Sequence, residues 1–281
     1  MDGHYLRDEK MTNTNMPVVI VTGASRGLGA AVARWLAKAR VAVTLISRSE
    51  NRLKDVAGEI RSLGGKSLVF AADVSNSDAC RSAVELTLDR FDRIDALVNN
   101  AGIIQPISSI ARTEPDNWRY NIEVNLLGPF YMIRAAISSL RSQNGRIINV
   151  SSGAANRVLE NVSAYCAAKA ALNHFTRVLA EEEPELTAVT VRPGVVDTDM
   201  QATIRNDGLN GMPDEQVAYY RQLKAHGKLE PPEIPGRSIA WLALHAPVEF
   251  SGQFFDYDDP RIAKPALRAF GKNYKPSQEY I

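Results

Sequence analysis

The sequence predicts an α/β fold, a doubly wound parallel sheet with helices on both faces, and three observations predict it. Short apolar runs alternate with helix-length patterns along the chain. The runs are rich in β-branched residues and mostly lack the polar–apolar alternation of half-exposed strands, as expected for strands buried on both faces. The first run passes directly into a glycine-rich turn, TGASRGLG at 22–29, that opens a helix. This strand–helix–strand–helix order implies a parallel sheet.

Taken in order, strands are expected at 18–22 (VVIVT), 41–46 (VAVTLI), 67–71 (SLVFA), 96–99 (ALVN), 146–150 (RIINV), 188–191 (AVTV) and 253–255 (QFF). Helices are expected between them, near 27–39, 50–63, 76–91, 116–141, 162–183 and 234–245. The longest irregular stretch, about 195–233, holds one helical piece near 213–225. That piece has a start signal, Pro213-Asp214-Glu215, and a stop signal at Gly227. A stretch of this length inside a compact domain is functional or disordered. Its Met200, Met212, Val217, Tyr219, Tyr220 and Leu223 predict a mobile, partly apolar lid over a substrate.

The chain has 281 residues, 45% of them hydrophobic, enough for one large domain. No linker or composition break divides it, so a single domain is expected at 17–258. A polar tail at 1–16 and an extension at 259–281 flank that domain. Lys and Arg number 33 against 32 acidic residues, for a net charge of +1. The basic residues are scattered, which points away from nucleic acid and anionic membranes as partners. Two cysteines, Cys80 and Cys166, give no disulfide framework and no zinc spacing. The four histidines, His4, His174, His226 and His245, are far apart, so no metal site is expected. Cys166 reads as a small buried residue.

The first 16 residues lack the apolar core of a signal peptide, and Met11 or Met16 could be alternative starts to Met1. No apolar run approaches the roughly 18 residues of a membrane span. A cytoplasmic protein is therefore expected.

The glycine turn carries the first functional signal. Gly23, Gly27 and Gly29 follow a strand and open a helix, so backbone there can approach a pyrophosphate favoured at the helix N-terminus. Ser25, Arg26 and Leu28 complete the segment expected against the cofactor. The second strand ends in Ser47-Arg48-Ser49, where an NAD site would usually carry an acid for the ribose hydroxyl. Arg48 and Arg26 instead suit a 2′-phosphate through charge-assisted hydrogen bonds. NADP(H) is therefore favoured over NAD(H). After the third strand come Asp73 and Val74; Asp73 either accepts a hydrogen bond from adenine or caps the helix beginning near Asn76.

The second signal is NVSAYCAAKAAL at 161–172. Tyr165 and Lys169 are four apart on one helix face among small residues. Alone, such a pair is a weak signal, because solvated surface Tyr–Lys pairs are common.

Together these pieces resemble the short-chain dehydrogenase/reductase family in its compact single-domain branch. The likeness rests on TGASRGLG at 22–29, DV at 73–74, NNAG at 99–102, Asn125, Ser152, YCAAK at 165–169 and PGVVDT at 193–198, in the family's order and spacing. It covers roughly 17–258 and implies a Rossmann sheet of about seven strands and NAD(P)-dependent alcohol–carbonyl chemistry. The segment 251–260, SGQFFDYDDP, is similar to the benzil/sepiapterin reductase-like subgroup.

The resemblance gives Tyr165 the role of catalytic acid/base. A phenol's ordinary pKa of about 10 is too high for easy proton exchange at neutral pH, and a cation at Lys169 is expected to lower it. The lysine would also bind nicotinamide ribose. Ser152, 13 residues before Tyr165, would orient the substrate oxygen, with Ser151 the competing assignment. Asn125, in NLLG at 125–128, would distort a helix and hold a relay water. Asn99, Ala101 and Gly102 would line the cofactor cleft. Pro193, Gly194 and Thr198 would lie beside the nicotinamide, with Val196 offering a backbone contact.

The expected function is NADP(H)-dependent reduction of a small ketone or diketone, by a homodimer or homotetramer. A 3-oxoacyl-carrier-protein ketoreductase is the alternative, and a non-catalytic dinucleotide-binding regulator is the alternative of another class.

Overall fold

Short β-branched runs become strands here because those in the middle of the sheet can bury both of their faces. The computed structural model describes residues 16–273; residues 1–15, with the possible starts Met1 and Met11, and residues 274–281 lie outside the described residues. Among the described residues the strands are β1 (Val18–Thr22), β2 (Ala42–Ser47), β3 (Lys66–Ala71), β4 (Ala96–Asn99), β5 (Arg146–Val150), β6 (Thr187–Arg192) and β7 (Phe254–Asp256). The helices are α1 (Gly27–Lys38), α2 (Glu50–Ser62), α3 (Ser77–Phe91), α4 (Pro115–Ile122), α5 (Gly128–Ser142), α6 (Ser163–Glu182), α7 (Asp199–Asp207), α8 (Asp214–Ala225), α9 (Glu233–His245) and α10 (Pro260–Phe270).

The seven strands form one parallel sheet in the order β3-β2-β1-β4-β5-β6-β7. Val19 pairs with Val43 on one side of β1 and with Ala96 on the other. Every residue of β1 is buried, and so is every residue of β4. One face of the sheet packs against α1, α2, α9 and α10 through side chains such as Val32, Trp35, Leu53, Ile239 and Ile262. The other face packs against α3, α5 and α6 through Val84, Met132, Ile133, Leu140 and Leu179. Chain order reverses between β1 and β4, and in open parallel sheets that reversal opens a crevice at the carboxyl ends of the strands.

Three expectations are corrected. The single helix near 116–141 is interrupted by a π turn, Glu123–Leu127, between α4 and α5. Its cause is Asn125, described below. The stretch 195–233 holds two helices, α7 and α8, where one was expected. In DMQATIRND, only Ile204 is buried, so the apolar period that would announce α7 is almost missing.

The third correction is the boundary at 258. Helix α10 follows it, with Asp259 Oδ1 accepting the Arg261 N–H at its start and Ile262, Ala266 and Phe270 buried. Phe270 stacks on Trp35, ring centroids 5.9 Å apart, and Lys38 Nζ donates to the Phe270 carbonyl at 2.8 Å. Burying one such aromatic contributes roughly 1.5–3 kcal/mol, so the packed unit runs to at least residue 270. Pro260 and Pro265 disguised the helix in the sequence. No helix among the described residues is long and apolar enough to cross a membrane.

Candidate active site

The crevice above β1 and β4 is a cleft of about 1010 Å³. One end of it is built by the turn after β1. Gly23 and Gly27 sit at φ +66° and +51°, the left-handed region that glycine adopts without cost. The turn is stitched to the end of β4. Asn100 Nδ2 donates to the Thr22 carbonyl at 2.9 Å, and the Asn100 and Ala101 N–H groups both donate to Thr22 Oγ1 at 3.0 Å. Gly23, Ser25, Arg26, Gly27, Leu28, Gly29, Ala101 and Gly102 all line the cleft.

Asn99 does not line it. Its side chain is buried beneath the sheet's end, where Nδ2 donates to Asn149 Oδ1 at 2.8 Å; Asn149 Nδ2 in turn donates to Thr176 Oγ1 at 2.9 Å. Successive residues of a strand point to opposite sides, so only one of the two adjacent asparagines can face the crevice. That residue is Asn100, which the sequence reading left out.

At the end of the cleft beside β2 and α2 lie three guanidinium groups. Arg26 and Arg48 were expected; Arg52, on the first turn of α2, was not, because arginines on exposed helix faces carry no sequence signal. Arg48 Nη1 donates to Tyr120 Oη at 3.1 Å and lies 3.8 Å from Asp73 Oδ2. Asp73 does not cap α3; Asn76 does, accepting from the Asp78 and Ala79 N–H groups. Asp73 instead accepts from the Ser75 N–H, the Ser75 hydroxyl and Tyr120 Oη. Burial raises its pKa, but those hydrogen bonds and the Arg48 charge outweigh burial and hold the carboxyl below its ordinary value. Val74 lines the same wall while packing against Gly128. Three guanidinium groups, a glycine turn and no acid at the end of β2 make a donor set that fits a phosphorylated dinucleotide.

The reacting end is set by α6. One turn apart, Tyr165 and Lys169 are both buried, at 8% and 5% exposed. Lys169 Nζ donates to the Val150 carbonyl at 2.8 Å and lies 5.7 Å from the centroid of the Tyr165 ring. Burial pushes the Tyr165 phenol up to about 12, and a hydrogen bond with the Ser152 hydroxyl pulls it the other way. Burial also pushes the Lys169 ammonium down to about 8. The net shift of the phenol is upward, with burial its largest cause.

Ser152 and Ser151 are told apart by where they point. Ser151 is buried and donates to Asn173 Oδ1 at 2.6 Å. Both border the cleft, but only the Ser152 hydroxyl hydrogen-bonds the Tyr165 phenol, its Oγ also accepting the Ala154 N–H at 3.1 Å. Cys166 is half-buried rather than fully buried, its thiol donating to the Leu159 carbonyl at 3.8 Å.

Asn125 lies behind the wall. Its Nδ2 donates to the Ile103 carbonyl at 2.8 Å and to Asn121 Oδ1 at 2.9 Å, and its Oδ1 accepts the Ile103 N–H at 3.3 Å. These bonds draw the amide out of the helical ladder toward the loop after β4, and the ladder widens into the π turn. A Cβ on Gly102 would come 2.8 Å from Asn125 Oδ1 and 3.8 Å from Lys169 Nζ, so this glycine keeps open the gap between the two.

Pro193, Gly194, Val196 and Thr198 line the remaining wall. Val196 pairs with Glu230 in an isolated bridge that ties the segment to the chain just before α9. Ile104, Val162, Ile204, Met212 and Val217 form an apolar cluster with Tyr165, flanked by Leu159, Met200 and Tyr220. The segment from α7 to α8 thus supplies apolar side chains that pack with the phenol ring.

Residues 17–208 match the short chain dehydrogenase family. A crystallised short chain dehydrogenase/reductase of Saccharomyces cerevisiae superposes with a TM-score of 0.84 at 33% identity, covering 88% of this chain and 98% of that one. A benzil reductase, (S)-benzoin forming, from the same yeast is 31% identical over 87% of this chain and 97% of its own. A 3-oxoacyl-[acyl-carrier protein] reductase from Brucella melitensis, solved with NAD, gives a TM-score of 0.77 at 27% identity, covering 88% and 98%. A blue fluorescent protein from a metagenomic library, solved with NADPH, gives 0.74 at 29% identity, covering 85% and 95%.

Proposed function

The chain belongs to the short chain dehydrogenase family of oxidoreductases, and from that premise we propose that it is an NADP(H)-dependent reductase of small apolar ketones or diketones. The observation that carries this reading is one cleft with Tyr165, Lys169 and Ser152 at one end and three guanidinium groups at the other. Gly23, Gly27 and Gly29 would hold the pyrophosphate, Arg26 and Arg48 the 2′-phosphate, and Lys169 the nicotinamide ribose. The reduced nicotinamide, when bound, supplies the hydride. The Ser152 hydroxyl orients the carbonyl oxygen. The Tyr165 phenol, kept protonated by burial, gives its proton to that oxygen as charge develops. Lys169, beside the gap at Gly102, replaces the proton through a water held by Asn125.

The apolar wall favours a small hydrophobic carbonyl. The relative that makes (S)-benzoin from benzil supports a diketone, and the acyl-carrier reductase supports the second reading, a 3-oxoacyl thioester. A dinucleotide-sensing regulator would have no use for a buried Tyr–Lys pair facing an apolar pocket. The deciding assay offers NADPH with benzil, 1-phenyl-1,2-propanedione and a 3-oxoacyl thioester. Diketone reduction supports the proposal, preferential thioester reduction favours the second reading, and coenzyme binding without turnover on any carbonyl favours the sensor. A cytoplasmic homodimer or homotetramer belongs to the same reading, and sedimentation of the purified chain tests the assembly.

Coenzyme choice has its own test. Arg48→Ala is expected to weaken NADPH binding more than NADH binding. A lost charge-assisted contact is worth roughly 1.5–3 kcal/mol, or ~10–150-fold. Equal losses for the two coenzymes would show that Arg48 does not read the phosphate.

The segment 195–233 is proposed to close over the substrate and expel water. Val217 and Tyr220, three apart on α8, share the face toward the apolar cluster. Hydrogen exchange across 195–225 is expected to slow when NADPH and a non-reactive ketone analogue bind together. Exchange that is already slow in the free protein, and unchanged on binding, would make this segment a fixed wall.

A further inference from the structure

The lid and the phosphate end of the cleft meet at one carboxylate. Thr198, which precedes α7, lies against the glycine turn: a Cβ on Gly27 would come 3.0 Å from Thr198 Cγ2. One residue on, Asp199 Oδ2 is 2.5 Å from Arg26 Nη1 and 3.9 Å from Arg52 Nη1. All three side chains line the cleft. Arg26 comes from the turn after β1 and Arg52 from α2, so a single carboxylate on the lid gathers guanidinium groups from two separate elements. Arg48 is engaged apart from them, by Tyr120 and Asp73.

We infer that Asp199 is an internal competitor for the coenzyme's 2′-phosphate and so sets how strongly the chain discriminates NADP(H) from NAD(H). This rests on the proposed NADP(H) reading. A phosphate dianion recruits guanidinium groups through the same charge-assisted, two-pronged geometry that a carboxylate uses. Two anions crowded on one cationic pair repel, so the phosphate and Asp199 cannot both be well bound there. A coenzyme without the phosphate leaves the Arg26–Asp199 pair intact. The ion pair is more than half exposed at both partners, so the Asp199 penalty is modest rather than prohibitive.

The test titrates wild type, Asp199→Asn and Asp199→Ala with NADPH and with NADH, following the fluorescence of the bound reduced coenzyme. Both variants are expected to bind NADPH ~3–10-fold more tightly while NADH changes less than ~2-fold, as a modest exposed ion pair allows. Wild type that prefers neither coenzyme would overturn the NADP(H) reading and this inference with it. Wild type that prefers NADPH, with the same preference or a weaker one in both variants, would overturn the inference alone. Equal tightening toward both coenzymes would also overturn it, because a general gain of positive potential would then explain the effect.

Discussion

Lys169→Met is expected to lower kcat for carbonyl reduction at least ~100-fold, within the usual range for losing part of an acid–base pair. The substitution keeps the length and apolar stem of the side chain and removes only the ammonium. That ammonium lies 5.7 Å from the Tyr165 ring and beside the gap kept open at Gly102. Without it, nothing charged favours the phenolate that remains after proton transfer, and the ribose contact is lost as well.

The same variant has a second signature, in stability. The folded-state pKa of Lys169 is pushed down to about 8 from an ordinary 10.5. Between those values the unfolded chain binds more protons than the folded one, so Lys169 makes stability rise with pH across that window. The Tyr165 phenol, pushed up to about 12 from 10.0, acts oppositely, making stability fall above pH 10. Wild type should therefore gain stability from about pH 8 to about pH 10, and Lys169→Met should lose that gain. Urea unfolding at several pH values checks it. An identical slope in both proteins would mean that the lysine is not desolvated.

Gly29→Val is expected to abolish measurable coenzyme binding and to destabilise the fold. A Cβ at this position would lie 2.4 Å from the Gly23 carbonyl oxygen and 2.5 Å from Asn100 Nδ2. Neither neighbour can give way, because the first is turn backbone and the second is held on the Thr22 carbonyl at 2.9 Å. Overpacking of this kind costs about 1–3 kcal/mol, and a turn pushed off its path no longer presents N–H groups to a pyrophosphate. Thermal unfolding and a coenzyme titration would read both effects. A variant with wild-type Tm and wild-type affinity would show that close approach at Gly29 is not required.

The strands were legible because their physics is local. Runs such as VVIVT and ALVN can satisfy their apolar side chains only when both faces are covered, so they announce the sheet without help from distant residues. Tyr165, Lys169 and Ser152 were singled out by the family resemblance rather than by their spacing alone, and the structure brings all three to one end of the cleft. What failed was decided by tertiary contacts. Asn99 and Asn100 are chemically identical, and only the orientation of β4 assigns one to the core and the other to the cleft. Helix α7 buries a single side chain, so its sequence carries no period. Helix α10 is paid for by Trp35, more than two hundred residues earlier in the chain. The lysine could be placed beside the phenol from sequence, but the burial that shifts both groups depends on walls contributed by distant elements.

The central claim is that the buried phenol is the proton source, and Tyr165→Phe tests it most directly. The change removes one oxygen and little volume. Coenzyme affinity and single-turnover reduction of a diketone should be measured on the same preparations of wild type and variant. The account predicts NADPH affinity within a factor of ~2 of wild type and a reduction rate at least ~100-fold lower, the usual contribution of a positioned general acid. Near-normal turnover by Tyr165→Phe, with coenzyme bound as tightly as in wild type, would contradict it.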